Sequence, residues 1–316
     1  MSPQPIAPAR RRRLVRLTAA FAVLLGLVVY LVVQYVTGGP GAPRCTVRAE
    51  SGGEPYELSP EQAGNAATIS AVASARGLPE RAVTIALATA MQESGLRNID
   101  FGDRDSVGLF QQRPSQDWGT VKQIMDPVYS AGEFYTHLVK VRGYSRLPLT
   151  VAAQKVQRSG YPQAYAKHEA NAALLTGALT GRDAAAMTCS QSRPADARTG
   201  GARAVREKLV REFGPQVLPR TAGAARTAGG GAGDGDTVLS VPVPRTVAGG
   251  GTGGGPQRRG WELATWAMAH SAELRIEQIS YDGRMWTAAD SGKGWRKAEG
   301  KAASAPATDV RIVTAH

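Results

Sequence analysis

Leu17 to Val36 is a run of twenty residues without a charge. As a helix rising 1.5 Å per residue it would be about 30 Å long, the thickness of a bilayer core. Arg10 to Arg13 and Arg16 precede it with no acid nearby. This pattern predicts an uncleaved single-pass transmembrane anchor over 17–36, with a basic cytoplasmic tail over 1–16 and the remaining chain outside. A cleaved signal is the alternative, but its apolar region is ordinarily shorter, and Thr37-Gly38-Gly39 is a poor cleavage site. Residues 37–58 are rich in Gly, Pro and polar groups and read as a tether.

Beyond the tether the apolar positions take helical spacing. Ser59-Pro60-Glu61-Gln62 opens the first helix with an N-cap, a proline at the first helical position and a glutamine three residues after the cap. Gly77 closes it. A second helix starts near Pro79-Glu80 and runs through Val83, Ile85, Leu87 and Met91 to Gly95. Asp126-Pro127 caps a third, with Val128, Ala131, Phe134, Leu138 and Val141 on its apolar face. Thr150 starts a fourth. A fifth follows Pro162 and holds Ala164, Tyr165, Ala172 and Leu175. Nothing over 59–189 reads as a strong strand, so this region is expected to be all-α or nearly so.

After a linker over 190–202 the period changes. Ala204 to Phe213 is a short amphipathic helix and Trp261 to Met268 a second. Thr237–Val243, Ile276–Tyr281 and Val310–Val313 alternate or run apolar as strands do, and Asp282-Gly283 is a hairpin turn signal. Gly-rich stretches near 228–235 and 249–255 read as loops. The segment 203–316 is thus expected to be a small α/β domain.

A net charge of +12 implies an anionic partner: nucleic acid, lipid head groups or a cell-wall polymer. With 6% aromatic residues and no interleaving of basic and aromatic positions, single-stranded nucleic acid is a poor fit, and no nucleic-acid partner is expected. The two cysteines, Cys45 and Cys189, bracket the helical region. In an exported chain they point to a disulfide worth about 4–5 kcal/mol by loop closure; two free thiols are the alternative. The four histidines form no metal-ligand spacing, so neither metal nor cofactor is expected.

The candidate chemistry lies in Ala88-Thr89-Ala90-Met91-Gln92-Glu93-Ser94-Gly95-Leu96. Glu93 ends a helix that is apolar on nearly every side. Burial and the negative helix terminus both disfavour its ionised form, which suits a general acid. The plain alternative is an exposed glutamate at a helix end.

Glu93-Ser94-Gly95-Leu96 followed by Gly108-Leu109-Phe110-Gln111 resembles the paired motifs of the lysozyme-like superfamily, in particular lytic murein transglycosylases and goose-type lysozymes. The longer run Gly102 to Ser115, with Asp117-Trp118-Gly119 after it, resembles an actinobacterial, wall-associated branch. The likeness covers about 59–180. It implies a fold class of a mainly α lysozyme-like domain (59–189) plus a small C-terminal α/β domain, with one N-terminal transmembrane helix. It implies Glu93 as catalytic acid/base, and Ser94, Gly108, Leu109, Phe110 and Gln111 along a glycan groove. Where the family has Ala-Tyr-Asn, this chain reads Ala152-Ala153-Gln154-Lys155-Val156-Gln157; Tyr165 is the candidate for the ring and Gln157 for the amide.

The implied activity is cleavage of the N-acetylmuramic acid to N-acetylglucosamine bond of peptidoglycan, giving 1,6-anhydro ends with one glutamate. Peptidoglycan strands and, through the anchor, the cytoplasmic membrane are the expected partners; protein partners are not indicated. A hydrolase using Asp100, Asp103 or Asp105 as second carboxylate, or a non-catalytic peptidoglycan-binding scaffold, are the alternatives. Trp261, Trp266, Tyr281-Asp282-Gly283-Arg284 and Trp286 resemble a small domain at the ends of other exported proteins, with Trp261 and Trp266 expected in its core.

Overall fold

The computed structural model describes residues 17–28, 42–49, 52–159, 161, 163–190, 201–218, 237–244, 255–299 and 307–315. The chain divides into two units, Met1–Ala42 and Pro43–His316. In the first, 17–28 is helical and exposed along its length. Among the described residues no helix is long and apolar enough to cross a membrane. The helical stretch over 17–28 would be about 18 Å long, well short of a bilayer core, and 29–36 lies outside the described residues. The expected anchor over 17–36, and the single-pass membrane placement built on it, are therefore not supported.

The second unit begins with β1 (Arg44–Val47) and β2 (Tyr56–Leu58), both within the segment expected as a tether. They join β3 (Met187–Ser190) in an antiparallel sheet of order β2-β1-β3. Cys45 stands directly opposite Cys189 in the β1–β3 register, and the two form a disulfide. The expectation of a region without strands is thus corrected. Together with the C-terminal sheet, this makes the fold mixed α/β rather than a mainly α domain. These strands have three or four residues each, too few to show alternation, and their pairing spans most of the helical region.

Helices α1 (Pro60–Ala75) and α2 (Glu80–Ser94) form the centre. The Ser59 side chain accepts from the Gln62 N–H and the Gln62 side chain accepts from the Ser59 N–H, a closed capping box worth about 1 kcal/mol. Ala63, Ala66, Ala67, Ile69, Ala71 and Ala73 are all buried. Such small side chains let other helices approach α1 closely. Around it pack α4 (Pro127–Leu138), α6 (Glu169–Leu179), α7 (Ala202–Phe213) and α8 (Pro256–Ala269). The short α3 (Val121–Ile124) precedes α4, and α5 (Leu149–Gln157) packs on α2 and α4. Asp126 caps α4 by accepting from the Val128 N–H at 3.0 Å. The expected fifth helix starts later than Pro162: Tyr165 precedes a 3-10 turn (Ala166–His168), and α6 begins at Glu169.

The C-terminal residues form a five-stranded antiparallel sheet, β4 (Val238–Pro242), β8 (Asp309–Thr314), β5 (Ile276–Tyr281), β6 (Arg284–Thr287) and β7 (Arg296–Lys297), in that spatial order. Asp282 and Gly283 both have positive φ in the β5–β6 turn, as that tight hairpin requires. The linker residues 191–200 and the Gly-rich stretches within 219–236 and 245–254 lie outside the described residues.

Helix α8 lies against β5 and β8 and also against α1, α6 and β3. It joins the two sequence halves. Trp261 and Trp266 are buried on it. The Trp295 indole donates to the Met187 carbonyl oxygen at 2.8 Å, and that of Trp266 to Glu212 Oε2 at 2.7 Å. Glu212 and His270 are each only 2% exposed. His270 Nδ1 lies 3.0 Å from Glu273 Oε2, and Lys208 lies between Glu212 and Glu273. Burial alone would lower the His270 pKa, but the flanking carboxylates of Glu212 and Glu273 outweigh it and raise the value. One hydrophobic core runs from Cys45 to Ile312.

Candidate active site

Helix α2 ends where its sequence stops favouring helix. Gly95 takes the left-handed conformation (φ 63°, ψ 36°) and Leu96 follows at φ 62°. Two side chains of α1 hold this exit. The Gln62 amide donates to the Gly95 carbonyl oxygen at 2.8 Å and the Asn65 amide to that of Leu96 at 2.9 Å. Glu93 is thereby fixed in the last turn, with every residue from Ala82 to Met91 buried behind it.

Residues 107–112 form a tight turn against the end of α2. Val107 and Gln112 exchange backbone hydrogen bonds at 3.0 and 3.1 Å. Gly108 has φ +79°, and a Cβ there would lie 2.8 Å from the Ile124 carbonyl oxygen, so only glycine fits. Leu109 and Phe110 are buried, and Phe110 stacks on Phe134 with ring centroids 4.6 Å apart. The Ser94 hydroxyl, itself buried, donates to the Leu109 carbonyl oxygen at 2.8 Å. Ser94, Gly108 and Leu109 therefore build the turn and fasten it to α2. Gln111 is half-buried at φ 46°, its amide 3.3 Å from the carbonyl oxygens of Phe101 and Gly108.

Opposite this turn, α5 ends at Gln157. Its amide donates to the Phe110 carbonyl oxygen at 2.7 Å and also acts on the Glu93 carboxyl. Tyr165, fully buried, donates its hydroxyl to Glu93 Oε1 at 2.8 Å. Burial pushes the Tyr165 phenol far up, and the Glu93 carboxylate adds to it, so Tyr165 stays a donor. Burial also raises the Glu93 pKa, while the Tyr165 and Gln157 hydrogen bonds pull it back; burial wins and the net shift is upward. The structure thus brings Glu93, Gln157, Tyr165 and the Phe110 backbone into one cluster. The result is a half-buried carboxyl that holds its proton more readily than a free glutamate and has donors placed to receive its charge once the proton leaves.

Asp100 and Asp103 are exposed, and Asp105 accepts from Arg113 Nε and from the Ser115 N–H, both at 2.8 Å. Those contacts hold the Asp105 carboxyl well below the usual carboxylate range.

Sequence reasoning missed one neighbour of the site. His168 is half-buried with Nε2 3.2 Å from the side-chain oxygen of Gln92, one residue before Glu93. Burial and then Lys167 lower its pKa. No local pattern marks such a contact, since it joins residues on different helices.

A family model described as VldE, C-terminal domain, matches residues 195–308. The match covers α7, α8 and most of the five-stranded sheet, and lies wholly C-terminal to the Glu93 cluster. No curated protein matches the chain.

Proposed function

We propose that this protein cleaves the glycan strands of peptidoglycan, with Glu93 as the single acid/base of a lytic transglycosylase. The observation that carries the reading is the Glu93 carboxyl itself: raised in pKa by burial, and held by the Tyr165 hydroxyl beside the Gln157 amide. A raised carboxyl is protonated for more of the time at neutral pH, so it can protonate the glycosidic oxygen as the bond to the muramyl C1 breaks. The substrate's own N-acetyl group can stabilise the cationic centre, which removes the need for a carboxylate nucleophile. Glu93, now ionised and stabilised by Tyr165, then takes the proton of the muramyl 6-hydroxyl as its oxygen bonds to C1. The product is a 1,6-anhydro ring, with no net consumption of water.

Asp105 is committed to Arg113 and Ser115, which takes it out as the second carboxylate that hydrolysis would need to activate water. The test is mass spectrometry of fragments released from purified peptidoglycan by the wild type and by Glu93→Gln. Anhydromuramyl ends that vanish in the variant support the reading. Reducing ends would replace it with a lysozyme-type hydrolase. A folded wild type that binds glycan and releases nothing would leave a scaffold.

A further inference from the structure

Between Glu133 and Glu169 the chain has no acidic residue, yet it carries Lys140, Arg142, Arg146, Lys155, Arg158 and Lys167. All six are exposed. Among the described residues none of them has an ion-pair partner. Arg81, Arg113 and Arg211 by contrast pair with Glu169, Asp105 and Asp126. This segment is also the wall that supplies Gln157 and Tyr165. Arg158 follows Gln157 directly as the left-handed cap of α5, and Lys167 lies two residues after Tyr165. Lys155, in the last turn of α5, and Arg158, its cap, are both exposed. Lys140 and Arg158 both lie close enough to His137 to act on its charge, which brings the end of α4 and the end of α5 together.

We propose that the 140–167 surface is an anion-binding wall for the carboxylates on the peptide side chains of the glycan, which it steers and orients across Glu93. The identity of the polymer rests on the peptidoglycan-cleaving reading above. Unpaired like charges repel one another and gain nothing within the fold, whereas a polyanion laid across them gains from several at once. Three of the six are arginines, whose planar fork matches a carboxylate with two parallel hydrogen bonds.

The test is co-sedimentation of the full chain carrying Glu93→Gln, which can bind but is not expected to cut, with purified peptidoglycan. Binding is expected to fall at least about tenfold between about 50 mM and about 500 mM NaCl. Arg142→Gln/Arg146→Gln/Lys155→Gln, all exposed and outside the Glu93 cluster, is expected to weaken binding about tenfold at the lower salt and little at the higher. Peptidoglycan whose carboxylates have been amidated should lose the same affinity, while material stripped of phosphodiester-linked polymer should keep it. Binding that ignores salt, the triple substitution and amidation overturns the proposal, as does a loss confined to the phosphodiester-stripped material. Tighter, competing binding to anionic lipid vesicles would overturn it in favour of a membrane surface. Fragment release by the wild type from the same material separates the two readings. Release with charge-independent binding sinks this wall alone, and charge-dependent binding without release sinks the catalytic reading alone.

Discussion

Tyr165→Phe isolates one interaction at the site. Phenylalanine keeps the buried ring and removes only the hydroxyl that donates to Glu93 Oε1 at 2.8 Å. That hydrogen bond favours the ionised carboxyl against burial, which favours the protonated form. A hydrogen bond to a charged group contributes about 1.5–3 kcal/mol. Glu93 is only half-buried, so water can take part of the vacated position and the lower end applies. About 1.5 kcal/mol corresponds to about one pH unit. The sign follows from the general-acid role: losing the donor destabilises the carboxylate, and Glu93 keeps its proton to higher pH. The alkaline limb of kcat/KM for glycan cleavage should therefore move up by about one pH unit in the variant. The plateau should fall, since the ionised glutamate left after proton transfer has lost a donor. The assay is release of soluble fragments from peptidoglycan across the pH range. A limb that stays in place or moves down would refute Tyr165 as a donor to the catalytic carboxyl.

Glu93→Gln should raise stability while abolishing cleavage. A carboxyl whose folded pKa lies above its unfolded value loses stability as pH rises between the two, and the amide removes that loss. A gain of about 1 kcal/mol at neutral pH, read by urea unfolding, is expected; equal or lower stability would contradict the burial argument. Gly108→Ala should cost about 2 kcal/mol and fragment release with it, because a Cβ at φ +79° meets the Ile124 carbonyl oxygen; an unchanged Tm would show that the turn relaxes. The His270 cluster sets a third expectation. The raised His270 contributes stability that is full below its unfolded pKa and fades as pH rises through the folded value. Glu273, lowered to about 2, contributes above its unfolded pKa and fades as pH falls towards 2. Stability should peak between about pH 5 and 6.5, and His270→Gln should flatten the decline on the alkaline side. The same alkaline slope in both proteins would rule His270 out as its source.

Much of the local structure was legible in the residues alone. Caps and stops act over three or four residues, so Ser59, Asp126 and Gly95 located helix ends without any tertiary information. Glu93 stood out for the same reason: an acid closing an apolar helix is a local anomaly. Gln157 and Tyr165 were reachable only through resemblance, because nothing local links them to Glu93. The three strands of the first sheet, unlike those of the second, were beyond local reading. Cys45 and Cys189, 144 residues apart in sequence, meet across a ladder of four pairs. The apolar run over 17–36 suggested a spanning helix by composition, whereas the helical length described there is too short for one.

The composition of each helix and the oddity of Glu93 were thus properties of the sequence itself. What the carboxyl can do was decided by tertiary structure. Its pKa is set by the balance between burial under α2 and the turn at 107–112, and two donors from a chain segment more than sixty residues on. Packing likewise turned the buried Ser94 hydroxyl onto the Leu109 carbonyl oxygen, and brought Gln157 and Tyr165 of the acid-free 134–168 segment to the glutamate. Desolvation and hydrogen bonding depend on what surrounds an atom in space, and sequence order does not carry that information.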